Sequence, residues 1–378
     1  MARKSYGGYK GRSGGNKKAV IVVILLIVVA AVSVFLALTQ AVTFTPDGPR
    51  IDWPFFGKSD PSPTPDKPPV IVIQSPAPSA TPTPSPPPPS PEPMRPADLR
   101  AVYIDISNTA AVSGALQLAK NGVINAVVID MKHNDGTLGW TSKVEVAVNS
   151  GANPETDSSA AVIKSFADEG VHLIARISVF KENLASNAYR NMSVATQNGV
   201  RWLDRDYHGW LDPYDKAAQK YTSDLAAELI SLGFDEILLE NACFPTIGRP
   251  QLIYYAEETE TTREAALSEF LVDISAEVKK AGGFLSVRLS VADVAANSAG
   301  SGVTIDGFSA AMESGNGAVY AETGVQGIEI SASVAIIPAP REYSAGDAPE
   351  AYRTAAASAS AYSGWVFSSN NGLYPANW

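Results

Sequence analysis

The sequence predicts an α/β fold, a (β/α)8 TIM barrel preceded by an N-terminal transmembrane helix and a disordered Pro-rich linker. Three observations carry this. From residue 99 onward, short apolar runs alternate with helix-length stretches, the pattern of a parallel sheet. Composition is segregated, so the first quarter of the 378 residues stands apart from the rest. The part that remains is close to the size of one closed eight-stranded barrel.

The N-terminal quarter reads as tail, span and spacer. Residues 1–18 hold Arg3, Lys4, Lys10, Arg12, Lys17 and Lys18 and no acid. Residues 19–38 carry no charge and are nearly all aliphatic. About 20 apolar residues in a helix match a roughly 30 Å hydrocarbon core. A cleaved signal peptide has a shorter apolar region, about 7–15 residues, and a small-residue cleavage site. The reading here is an uncleaved signal-anchor over 19–42, behind a basic cytoplasmic tail at 1–18. The basic flank predicts an inside N-terminus and a body outside the cytoplasm. Residues 43–97 read as a Pro/Ser/Thr-rich linker, with 16 of the 27 prolines between Pro61 and Pro96. Such a segment buries too little apolar surface to fold and tends towards polyproline II.

The body, 98–378, is read element by element. Strands are expected at 101–106, 124–131, 171–180, 236–243 and 284–291. Weaker ones are expected at 307–312, 328–337 and 365–368. Helices are expected at 113–121, 158–169, 213–232, 262–281 and 349–361. Gly122, Gly170, Gly233 and the Gly282-Gly283 pair stop the first four. Near-continuous apolar strands such as 124–131 indicate burial on both faces.

In a barrel of this kind function sits at the carboxyl ends of the strands. Asp130 and Lys132 end the second strand, and a period of 2 points them the same way. Arg176 lies in the third strand and Lys181 follows it; a cation there pairs with a carboxylate, orienting or neutralising it. Trp202 and Trp210 flank a polar loop, where they could stack on sugar rings or pack a lid. Asp212 before Pro213 reads first as a helix start. Glu240 ends the fourth strand after an apolar run, where desolvation could raise its pKa. Arg288 and Asp293 follow the fifth strand, Glu313 the expected sixth, and Asn370 the eighth. Two carboxylates about 5–10 Å apart across a cleft can hydrolyse a glycoside. Glu240 with Glu313, Asp293 or Asp130 could supply them.

Charge and motifs exclude other classes. The chain has 29 Lys+Arg and 39 Asp+Glu, a net charge of −10. Residues 1–96 are net positive, so the acidity belongs to the body, which argues against nucleic acid as a partner. One cysteine, Cys243, and three histidines leave no basis for a disulfide framework or a His/Cys metal site. Neither a phosphate-binding glycine loop, a His-Glu-x-x-His helix nor a Gly-x-Ser-x-Gly elbow is present, so no cofactor and no metal are expected.

Several segments together resemble one bacterial family. They are Ile129-Asp130-Met131-Lys132 through Gly136, Ala175-Arg176-Ile177-Ser178-Val179-Phe180-Lys181, Trp210 through Tyr214, Gly233 through Pro245, and Gly364-Trp365 through Tyr374. The family is that of glycoside-hydrolase-like domains first catalogued as domain of unknown function 4015, and the likeness covers roughly 99–378. It implies a (β/α)8 barrel, secretion or anchoring, and action on polysaccharide. The fourth-strand motif of the family reads Phe-Asp-Glu-Ile-x-x-Asp-Tyr-x-Arg-Phe-Pro. Here Glu240, Asn241 and Cys243 replace the second Asp, the Tyr and the Arg. Losing that Arg removes a cation that could hold the acid ionised. The sixth-strand Ser-Pro-Met-x-Tyr-Pro-Ser is replaced by Ser309 through Gly315, and a Trp-Asn pair near the eighth strand by Phe367-Ser368.

The function expected is a membrane-anchored, extracytoplasmic glycoside hydrolase acting on a cell-surface or environmental polysaccharide. Glu240, Glu313 and Asp130 are the candidate catalytic carboxylates. Lys132, Arg176, Lys181, Trp210, Asp212, Arg288 and Asn370 are the candidate substrate-binding residues. The alternatives are a catalytically impaired barrel that binds glycan without cutting it, and a cell-envelope interaction module.

Overall fold

The computed structural model describes residues 42–45, 48–51, 95–340, 348–369, 372–376 and 378. Chain contacts divide the protein into two units, Met1–Pro86 and Pro87–Trp378. Within the first, an antiparallel hairpin pairs Val42–Thr45 with Gly48–Ile51, inside the stretch expected to be linker. The span expected over 19–42 lies almost wholly outside the described residues. Among the described residues no helix is long and apolar enough to cross a membrane.

The second unit is a closed barrel of eight parallel strands in sequence order. They are β1 (Leu99–Asp105), β2 (Ala126–Lys132), β3 (His172–Ser178), β4 (Glu236–Glu240), β5 (Phe284–Leu289), β6 (Val319–Glu322), β7 (Ser333–Pro338) and β8 (Gly364–Ser368). Between them run α1 (Thr109–Lys120), α2 (Glu145–Ser150), α3 (Ser159–Ala167), α4 (Leu184–Ala188), α5 (Lys216–Ser231), α6 (Arg263–Lys280), α7 (Val291–Ala295), α8 (Asn297–Ser301), α9 (Ile305–Ser314) and α10 (Ala348–Ser358).

Each strand serves two cores, because its side chains alternate between faces. Val128, Ile174, Leu238, Tyr320 and Val366 fill the barrel interior. Val127, Ile129, Leu173, Ile237 and Leu239 face the helices and pack on Leu225, Phe270 and Ile274. That double burial is why the strands read as continuous apolar runs. Helix starts are fixed by side-chain caps: Asn108 accepts from Ala111 N, Asp215 from Ala218 N and Thr262 from Ala265 N.

Four sequence expectations are corrected. Residues 307–312 are not a strand; they lie in α9, whose buried residues Phe308, Ala311 and Met312 recur at helical spacing. A short apolar run does not distinguish the two periods. The sixth strand is instead Val319–Glu322. The seventh begins only at Ser333, after a 3-10 turn at Ile330–Ala332. Asp212 does not cap the helix before β4; Asp215 does, and Asp212 accepts from Tyr214 N within the preceding turn.

The barrel floor is polar. Glu236, fully buried at the start of β4, accepts from Ser286 Oγ (2.5 Å), Tyr320 OH (2.9 Å) and Arg95 Nε (3.2 Å), and its Oε2 lies 2.9 Å from His172 Nε2. Arg95 also stacks over the Tyr320 ring at 5.4 Å. Burial alone would raise the Glu236 pKa, but Arg95 and His172 outweigh it and hold the carboxyl at about 2. Arg95 lies in the stretch read as spacer, so the folded unit takes in residues before 98.

Candidate active site

The carboxyl ends of β2 to β6 meet in one network of arginines and carboxylates. Arg176, inside β3 and almost wholly buried, is its hub. Its Nε donates to Glu240 Oε2 (2.7 Å), its Nη1 to Asp130 Oδ1 (2.9 Å) and to the Lys132 carbonyl (2.6 Å), and its Nη2 to Asn134 Oδ1 (2.7 Å). Strand register explains the meeting: Asp130 pairs with Arg176 between β2 and β3, and Glu240 with Ser178 between β3 and β4. Arg288 of β5 donates through Nη1 to Glu240 Oε1 (2.8 Å) and through Nη2 to Glu322 Oε1 (2.6 Å). Glu240 therefore has an arginine on each oxygen.

The network is partly open to solvent. The side chains of Asp130, Glu240 and Glu322 are 13, 19 and 29% exposed, and that of Arg176 4%. Burial alone would raise the Glu240 pKa, as the sequence suggested. Arg176 and Arg288 reverse this and hold the carboxyl ionised at about 2. The cation missing at Cys243 is thus supplied from two neighbouring strands.

Other groups complete the mouth. His133 Nδ1 lies 3.2 Å from Asp130 Oδ2, and that hydrogen bond raises the His133 pKa against the opposing effect of burial. Tyr103 of β1 also bonds Asp130, and burial pushes its phenol up. Asn241 holds a left-handed backbone (φ 54°), a conformation Asn tolerates better than most residues. Its Nδ2 donates to Asn134 Oδ1 (3.0 Å) and Ser178 Oγ (2.9 Å). Asp293, in α7, accepts from Ser290 Oγ (2.5 Å), and Cys243 Sγ lies 3.7 Å from its other oxygen.

The structure thus joins Asp130, Arg176, Glu240 and Arg288, and leaves other candidates apart. Lys132 does not point with Asp130. A register shift between them turns Lys132 to the helix side, where it is 1% exposed, pairs with Glu182, donates to the Ser178 carbonyl (2.7 Å) and lies 5.7 Å from the Tyr221 ring. Gly136 makes room for this pair: φ is 100°, and a Cβ there would collide with the Glu182 carboxylate. Trp210 is 5% exposed and donates to Asp204 Oδ2 (3.1 Å), and Trp202 donates to the Arg249 carbonyl (3.0 Å), so both indoles pack loops. Lys181 is bound to Asp204 (3.0 Å) and Asp206 (3.4 Å). Glu313 is exposed on α9, beside the starts of β6 and β7 and so at the opposite end of the barrel. Asn370 lies outside the described residues. Sequence reasoning missed Tyr103, His133, Asn134 and Glu322. Glu322 was hidden by the misplaced sixth strand. His133 and Asn134 stood in the second-strand motif and were readable from it. Among the described residues no group of three or more His, Cys, Asp or Glu side chains is placed to hold a metal ion.

An eight-stranded parallel barrel with partly exposed carboxylates at its carboxyl-end mouth has the architecture on which glycoside hydrolases are built. The chain belongs to a family of this class: the domain described as "Putative glycosyl hydrolase domain", number 4015 among domains of unknown function, matches residues 101–304, more than half of its length. No curated protein matches the chain. Among solved structures it is similar to a hypothetical protein from Ruminiclostridium thermocellum, at 28% identity over 49% of this chain and 96% of that one, with a TM-score of 0.45. It is also similar to the glycoside hydrolase domain of PelA from Pseudomonas aeruginosa, at 15% identity over 74% and 97%, TM-score 0.40. A third is a GH20 exo-β-N-acetylglucosaminidase from Vibrio harveyi, at 9% identity over 73% and 50%, TM-score 0.44.

Proposed function

We propose that the protein is a membrane-anchored, extracytoplasmic glycoside hydrolase that acts on a cell-surface or environmental polysaccharide through carboxylate chemistry. The observation that carries this reading is the Asp130–Arg176–Glu240–Arg288–Glu322 chain at the mouth, with its carboxylates partly exposed. Cationic partners keep Glu240 ionised at any physiological pH. Its role is therefore to attack or to stabilise the oxocarbenium-like transition state, and a different group donates the proton. The apolar residues 19–38, behind six basic residues, support the anchor and its inside N-terminus.

One observation favours a second reading. Both Glu240 oxygens are engaged by arginines, which suits a barrel that binds glycan without cutting it. The full chain in detergent, incubated with isolated envelope and environmental polysaccharides, separates the two. Release of new reducing ends by the wild type and not by Glu240→Gln supports hydrolysis. Saturable binding without release supports the second reading. Release that Glu240→Gln leaves unchanged removes Glu240 from the mechanism.

A further inference from the structure

We infer that Asp293, in the loop after β5, donates the proton to the leaving group at this mouth, an inference that rests on the hydrolytic reading above. Asp130, Glu240 and Glu322 each have an arginine within 3 Å. Asp293 differs, because the partners bonded to its two oxygens are neutral. Ser290 Oγ lies 2.5 Å from one and Cys243 Sγ 3.7 Å from the other. Cys243 follows Glu240 by three residues, so this contact ties Asp293 to the end of β4. Arg288 and Glu322 act on Asp293 electrostatically, and Cys243 senses both Asp293 and Glu240. The carboxyl is partly buried. Burial, with Glu322 adding to it, pushes its pKa up against the hydrogen bonds from Ser290 and Cys243. A carboxyl whose pKa is raised, tied through Cys243 to the strand that ends in a carboxylate held ionised, is the division of labour glycoside cleavage needs.

The step balances simply. The Asp293 proton passes to the glycosidic oxygen while the bond from that oxygen to the anomeric carbon breaks. The bonding pair leaves with the oxygen. One water supplies the new hydroxyl on the anomeric carbon, and its other proton restores the carboxylic acid.

Leaving-group dependence tests this with the full chain. Dinitrophenyl glycosides depart without protonation, whereas unactivated oligosaccharides of the same sugar do not. Asp293→Asn should lose on the order of 100-fold or more on oligosaccharides and under about 10-fold on dinitrophenyl glycosides. Equal losses on both substrates for Asp293→Asn, or none, overturn the inference and leave the hydrolytic reading standing. A wild type that cleaves neither set overturns the hydrolytic reading, and the inference with it.

Discussion

Arg176 grips Glu240 through Nε at 2.7 Å while its Nη1 holds Asp130 at 2.9 Å, so one guanidinium sets the relation of two strand-end carboxylates. Lysine has the charge but not the planar fork. On the hydrolytic reading Arg176→Lys is therefore expected to lower turnover at least 100-fold, and Arg176→Met to cost about 3–5 kcal/mol by removing the buried cation that two carboxylates share. Product assays and urea denaturation measure the two effects. An Arg176→Lys variant with wild-type turnover would refute the positioning role.

The floor of the barrel obeys the same rule. Arg95→Ala strips the cation from Glu236, and a loss of about 3–5 kcal/mol is expected at neutral pH. The folded pKa of Glu236, about 2, is below its ordinary value of 4.5. Its contribution is therefore complete above pH 4.5 and is lost as pH falls towards 2. The gap between wild type and Arg95→Ala should narrow over that window in denaturation curves.

Asp212 carries the opposite sign. Burial, with Glu257 and Asp215 nearby, raises it from 3.8 to about 7 against the hydrogen bond from Tyr214 N. A raised carboxyl opposes folding increasingly as pH climbs from about 4 to 7. Asp212→Asn keeps an acceptor for Tyr214 N and removes the charge. It should stabilise the protein on the order of 1–3 kcal/mol at pH 8 and leave it unchanged near pH 3. Equal midpoints at both pH values would contradict this.

Lys132 gives a control outside the mouth. Lys132→Met alone strands the Glu182 carboxylate and should cost about 3–5 kcal/mol. The double variant Lys132→Met, Glu182→Leu should recover most of that loss and retain the wild-type rate on glycan. A double variant that is stable but inactive would return Lys132 to the site.

The barrel was legible because strands buried on both faces and helices stopped by glycine leave strong local patterns. It failed where a pattern was short: Phe308, Ala311 and Met312 fit either period, and the error displaced Glu313 and hid Glu322. Asp130, Arg176, Glu240 and Arg288 were readable because charged residues stand out at apolar strand ends. Their ionisation was not, since it depends on which strands are neighbours. The same holds for Lys132, whose direction is set by a register shift that two-residue alternation cannot reveal.

Arg95 lies four residues before Leu99, where β1 begins, and its side chain already reaches Glu236. Tension along the preceding chain would therefore load this charged contact in the barrel floor before it pulled on the β1 ladder. The preceding chain would meet the barrel at an electrostatic clasp, and mechanical yielding there should soften in acid, when Glu236 takes up its proton.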